Sequence, residues 1–453
     1  MNHDDLYLIA AGGTGIRVAT ALLYCCAYGA LGKEKTLHIM VLDADNETGM
    51  EDITKQWKRY GNLRSIFQEG KNAPKQTELF APSVDLLALP RILNYPSGST
   101  IGIEWDNAKD EKGKPIFKTP DKLLLKALLC DYQVNALTPS DGLYGCPALG
   151  ALLLDPKLQD DSVATFLRSC KNQPVALCAS SFGGTGVAAL ECLLNRMKPG
   201  SEAPPSSKAI VLLQPYFTIK SAPDEKGTVH HWNDGECAKK DDAACAYFKE
   251  KYGNDLKTEP PAIAHAGARR TRGEFSYSNQ VNWPEETEWR VAMRLCRFFA
   301  GDSAWRNLEP EKDKGALKAF ARLAQVWNEV FEDSIDKECG DNRTQWRWRL
   351  TNALWTLPMP KKRGVEKRNY ALEYDLPENT ELREFFGFWQ QWYLRMLAVA
   401  FVGQEKIMPA EGLAPKAKQR YWKYAKDECF DAKAKLVHGL FAMIKKEAGH
   451  NER

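Results

Sequence analysis

The chain opens with an unbroken apolar run, "LYLIAA" at 6–11, then glycines, then "GIRVATALLYCCAYGALG", whose apolar positions keep helical spacing up to Gly32. A second apolar run, "TLHIMVLDAD" at 36–45, ends in acids. Continuous apolar runs bounded by turn residues predict strands buried on both faces, and the order strand, helix, strand predicts a βαβ unit. The stretch from 50 to 135 is less regular. Polar, proline-containing segments such as "NAPKQTELFAPS" and "NAKDEKGKPIFKTPDK" predict helical insertions and loops there rather than core. Periodic order returns with "CPALGALLL", followed by a polar helix and by "PVALCASSFGGTG" with its own helix to about Arg196. "SSKAIVLLQPYF" at 206–217 predicts one more buried strand, and 220–275 reads as loop-rich. From Pro284 onward the pattern is mainly helical, over 284–300, 315–337, 343–356, 379–402 and 416–447, with "NYALEYDL" at 369–376 as an exception. The expectation is an α/β protein. A Rossmann-like parallel sheet is expected within 1–283, interrupted near 50–140, then a helix over 284–306 and a mainly helical region over 307–453.

Two tight turns carry the candidate chemistry. "GGTG" occurs at 12–15 and again at 183–186, each time between a buried strand and a helix. A strand that breaks into glycine and then a helix leaves backbone N–H groups and the positive end of the helix dipole facing an anion. Glycine also removes the Cβ that would block a phosphate oxygen. Thr14 and Thr185 add a hydroxyl at each place. No GK[ST] follows either turn, so neither is a Walker P-loop. Gly13 and Gly15 fit G-x-G, but Val18 stands where the dinucleotide fingerprint needs Gly or Ala. The pair is open to two readings: one phosphate chain gripped from both sides, or two ordinary turns of an α/β sheet.

The order of the parts narrows this. After the first turn, the second strand ends at Asp43 and Asp45, followed by Asn46; then comes "GCPALGALL" at 145–153, and then "SSFGGTG". In this order the residues resemble the tubulin/FtsZ superfamily of GTPases. Gly12, Gly13, Thr14 and Gly15 match its first loop, and Asp43, Asp45 and Asn46 match the second in part. Gly145, Pro147 and Gly150 match the third loop. Ser181, Phe182, Gly183, Gly184, Thr185 and Gly186 match the phosphate signature, with Phe182 where a glycine normally stands. The resemblance implies a tubulin-type domain binding GTP or GDP with Mg²⁺, the ion held by phosphate oxygens and water. It implies that Asn279 or Asn282, at the start of the linking helix, reads the guanine base, or else caps the helix. It also implies self-association into filaments, with slow hydrolysis completed by an acidic loop of the next subunit. At that place stands "NLEPEKD": Asn307 and Glu309 match the first half, Lys312 replaces the second acid, and Asp313 falls one step late. The helical tail departs from the family's small mixed β domain and is expected to serve a partner protein. Members of the superfamily with roles in membrane remodelling or antiviral defence extend the range of functions implied.

Two rivals stay open. One is a nucleotide switch that does not polymerise and recruits a partner. The other is a Rossmann enzyme of dinucleotide or adenylating type, in which Asp43 or Asp45 holds a ribose.

Composition excludes more than it selects. A chain of 453 residues with 44% apolar and 27% charged residues has room for two or three domains with real cores. The net charge of +3 argues against a nucleic-acid surface, and the basic stretches "RRTRG" and "PKKRG" read as solvated loops. Asp4 and Asp5 stand where a signal peptide would be basic. The apolar stretch 384–403 carries Gln390, Gln391 and Arg395 through its middle, so it reads as a buried or partner-facing helix rather than a span. Twelve cysteines without a CxxC pair suit reduced thiols in a cytoplasm. His230, His231, Cys237 and Cys245 match no usual zinc spacing and read as a polar loop.

Overall fold

The apolar runs predicted as strands pair side by side in a parallel sheet. The computed structural model describes residues 5–43, 49–71, 77–89, 98–107, 147–198, 204–215, 234–259 and 286–303, together with a few isolated positions and two short strands. In chain order the strands are β1 (Asp5–Ala11), β2 (Thr36–Leu42), β3 (Ser83–Ala88), β4 (Pro174–Ser180), β5 (Ser207–Leu213), β6 (Thr218–Ile219), β7 (Leu256–Glu259) and β8 (Glu274–Phe275). Six of them form one sheet in the order β3-β2-β1-β4-β5-β7, with every pairing parallel. With the two-residue β6 and β8 set aside as their own small ribbon, this is the 3-2-1-4-5-6 order of a Rossmann-like sheet.

The described helices are α1 (Gly12–Ala27), α2 (Gly49–Glu69), α3 (Ile101–Asn107), α4 (Pro147–Lys157), α5 (Asp161–Ser169), α6 (Gly184–Arg196), α7 (Asp234–Tyr252) and α8 (Glu286–Phe299). Strand alternation divides the core in two. Leu6, Leu8 and Ala10 of β1 face a layer containing α1, α2 and α8. Tyr7, Ile9 and Ala11 face the opposite layer, containing α3 to α7. Both faces of the central strands are therefore covered, which is why β1 and β4 read as unbroken apolar runs rather than alternating ones. Helix α1 is buried almost all round, wedged between the sheet and α8, where Tyr24 and Trp289 meet with ring centroids 5.6 Å apart. Within the stretch 284–306, expected as a linking helix, α8 packs against α1.

Two stretches differ from expectation. Residues 49–88, read as helical insertions and loops rather than core, do supply a helix, α2, but it packs into the core, and they add the edge strand β3, which pairs with β2 from Ser83 opposite Thr36 to Ala88 opposite Val41. Trp57 Nε1 donates to the carbonyl of Val84 at 2.7 Å, and Tyr60 Oη donates to that of Pro82 at 2.7 Å. Those bonds fasten the edge strand under α2. Within 220–275, read as loop-rich, lie α7 and β7. The helices expected from 315 onward, the strand at 369–376 and the apolar stretch 384–403 lie outside the described residues. Among the described residues, no helix is long and apolar enough to cross a membrane.

Candidate functional site

The two "GGTG" turns lie against each other. Strands β1 and β4 are neighbours, with Ile9 opposite Leu177 and Ala10 opposite Cys178, so both turns leave the sheet at the same edge. The strand order also reverses here: β2 and β3 extend beyond β1, β5 and β7 beyond β4. That crevice, at the carboxyl ends of the strands, is where open α/β sheets bind ligands. Gly12 has φ +72°, and a Cβ on it would stand 3.4 Å from the backbone nitrogen of Gly186. A Cβ on Gly186 would stand 3.1 Å from the carbonyl oxygen of Ala11. The turns thus approach backbone to backbone, with no side chain between them.

Part of the duplication is packing. A Cβ on Gly15 would lie 2.6 Å from the carbonyl oxygen of Cys178, and one on Gly186 would lie 2.9 Å from Ala179 Cβ. The last glycine of each "GGTG" therefore lets its helix settle onto the strands beneath. Of the leading glycines, Gly183 is also crowded by the sheet, since a Cβ there would meet Ser180 Oγ at the end of β4, whereas Gly12 faces the backbone of the other turn.

Electrostatics separate these helix starts from an ordinary one. Helix α5 is capped by Asp160, which accepts the Ser162 N–H at 2.8 Å, and Asp161 sits in its first turn. Helices α1 and α6 begin at Ala11 and Gly183 with no side-chain cap and no acid in the first turn. Two positive helix ends thus stand side by side without a carboxylate of their own first turns to offset them. The Gly183 N–H donates to Ser180 Oγ at 3.2 Å, so the second turn presents its amides from Gly184 onward.

Buried charge lies beside the first turn. Arg17 donates through a terminal guanidinium nitrogen to Thr14 Oγ1 at 2.9 Å and through Nε to Glu288 Oε1 of α8 at 2.7 Å. All three residues are buried. Because Thr14 Oγ1 accepts from the guanidinium, its own proton is directed elsewhere. Arg17 and Glu288 were not legible as site residues; the only sign was an arginine inside an otherwise apolar helical pattern.

Asp43 follows Leu42, which pairs with Ala11, so it stands level with Gly12 at the tip of the neighbouring strand. Pro147 is the first residue of α4 and Gly150 lies in its first turn, so the expected third loop is a helix start. The Phe182 side chain is buried in the core on the α1 side, and Thr185 is buried as well. The Ser181 hydroxyl points inward, 2.5 Å from Asp241 Oδ1 and 3.2 Å from the carbonyl of Leu213. Asp45, Asn46, Gly145, Asn279, Asn282, Asn307, Glu309 and Asp313 lie outside the described residues.

Of the four His and Cys residues read as a polar loop, His230 and His231 also lie outside the described residues. Cys237 and Cys245 fall on α7 rather than on a loop. Burial and the neighbouring Asp241 carboxylate push the Cys245 thiol far up, so it stays protonated. Among the described residues, no group of His, Cys, Asp and Glu is arranged to hold a metal ion.

No family model matches the chain, and neither a curated protein nor a solved structure does.

Proposed function

We propose that the paired turns bind the phosphates of a nucleotide, and that the nucleotide is GTP or GDP. The observation that carries the first half is the direct approach of two uncapped helix N-termini at the switch point of the sheet. A single small anion needs one helix end; two in backbone contact suit a chain of phosphates spanning both. Gly12, Gly13 and the Gly184 amide would hold the phosphates, and the Thr14 hydroxyl would donate to them. Mg²⁺ would enter with the phosphates and lower their charge, held by phosphate oxygens and water. The second half rests on the resemblance to tubulin/FtsZ proteins. It extends to head-to-tail filaments, since a heterologous contact whose rotation does not close generates them. It extends also to slow hydrolysis aided by Asn307, Glu309 and Asp313 of a neighbouring copy.

One observation favours a second reading. The 3-2-1-4-5-6 strand order and Asp43 at the tip of β2 also suit a dinucleotide, whose ribose an acid at that place would bind. Identifying what heat-denatured protein releases separates the two. GTP or GDP supports the guanine reading, and NAD, FAD or an adenylate replaces it. Light scattering with GTP, with GDP and without nucleotide then tests assembly. A monomer in all three favours a switch acting through a partner.

A further inference from the structure

The second glycine turn is held from outside the sheet by a buried carboxylate. Ser181, the first residue after β4, donates its backbone N–H to the carbonyl of Leu213 at 2.9 Å and its hydroxyl to Asp241 Oδ1 at 2.5 Å. Asp241 belongs to α7, 60 residues further along the chain, and is fully buried at 0% exposure. Two more neutral donors reach the same carboxylate: Gln214 Nε2 onto Oδ2 at 2.8 Å and Cys245 Sγ onto Oδ1 at 3.3 Å. No cation pairs with it among the described residues.

A buried charge without a counter-charge is costly and persists only when hydrogen bonds satisfy it. A leucine or methionine would cover the ends of β4 and β5 without that cost. What the carboxylate adds is direction. It joins the turn after β4, the residue after β5 and helix α7 at one point, and charge-assisted hydrogen bonds are shorter and stronger than neutral ones.

We infer that Asp241 is a positioning residue for the second glycine turn: through Ser181 it sets where that turn presents its amides from Gly184 onward. What those amides receive rests on the nucleotide reading above; that Asp241 holds them does not.

The test compares Asp241→Ala, Asp241→Asn, Ser181→Ala and the Asp241→Ala/Ser181→Ala double variant in the full chain, with two readouts. The first is hydrogen exchange of the Ser181 and Gly183 amides without ligand. The second is GTP affinity. Asp241→Ala and Ser181→Ala should each speed exchange at both amides, and weaken GTP binding, by at least about tenfold. The double variant should be no worse than the weaker single one, because both changes remove one shared contact. Asp241→Asn keeps an oxygen for Ser181 and should restore both readouts most of the way. If Asp241→Ala does not fold, Ser181→Ala decides alone, since it leaves the carboxylate and two of its donors in place. Unchanged exchange at Ser181 and Gly183, or effects that add, would overturn the inference. A parent protein that binds no GTP would remove the nucleotide reading, while the exchange rates still decide the role of Asp241.

Discussion

Replacing Gly15 with alanine tests how α1 is seated under the first turn. The new methyl group would stand 2.6 Å from the carbonyl oxygen of Cys178 and 3.0 Å from the carbonyl carbon of Ala10. Both are backbone atoms of the two central strands, so no side chain can swing aside. Ordinary contact needs roughly 3.4 Å, so the helix must lift by about 0.8 Å or the strands must part. Overpacking of this kind costs about 1–3 kcal/mol, and alanine's better helix propensity returns about 1 kcal/mol. With rigid backbone as the obstacle, the upper part of the range applies, and the net loss should be about 1–2 kcal/mol. Gly61 supplies the reference. It lies inside α2 with nothing within 4 Å of an added Cβ, so Gly61→Ala should gain about 0.5–1 kcal/mol. Urea unfolding followed by tryptophan fluorescence reads both, as opposite shifts of the midpoint at unchanged slope. A Gly15→Ala variant as stable as its parent, or shifted in the same direction as Gly61→Ala, would refute the close seating of α1.

Two further outcomes are expected. Glu288→Ala removes the carboxylate that buried Arg17 meets at 2.7 Å and should cost about 3 kcal/mol, whereas Arg17→Met/Glu288→Met should recover most of it; additive losses in the same urea assay would contradict a coupled pair. Burial pushes the Cys170 and Cys192 thiols from 9.0 up to about 12. The unfolded chain therefore releases protons above pH 9 that the folded chain still holds. Their contribution to stability is full below pH 9 and is lost as pH rises towards 12. The midpoint should fall over that window, less steeply in Cys170→Ala; equal slopes in parent and variant would contradict the burial.

The sequence announced the centre of the sheet and missed its margins, for physical reasons. Strands covered on both faces show as apolar runs, so β1, β2, β4 and β5 were legible. Strand β3, "SVDLLA", is a partly covered edge that carries Asp85, and short edge strands lack a continuous signal. Helix α7 hid for a different reason: its buried positions Asp241, Ala244 and Phe248 keep helical spacing, but the first of them is an acid. The same acid explains why the Ser181 hydroxyl turns inward instead of towards the site, as its place in the motif had suggested. Residue type and place in the motif were readable, whereas the inward turn of its hydroxyl depends on a partner 60 residues away. Pro147 offered a helix-start signal that a turn reading of "GCPALG" set aside. The duplicated "GGTG" was visible at once. That the last glycine of each turn serves packing needed the backbone distances.

The central claim is that the paired turns hold nucleotide phosphates, and a single binding titration of GTP-Mg²⁺ against the parent and Gly184→Val tests it most directly. A branched side chain at Gly184 would occupy the place of a phosphate oxygen beside the uncapped start of α6. Affinity should fall by at least about tenfold, roughly 1.4 kcal/mol, while circular dichroism stays that of the parent. A folded Gly184→Val protein that binds GTP as tightly as the parent would contradict the phosphate site.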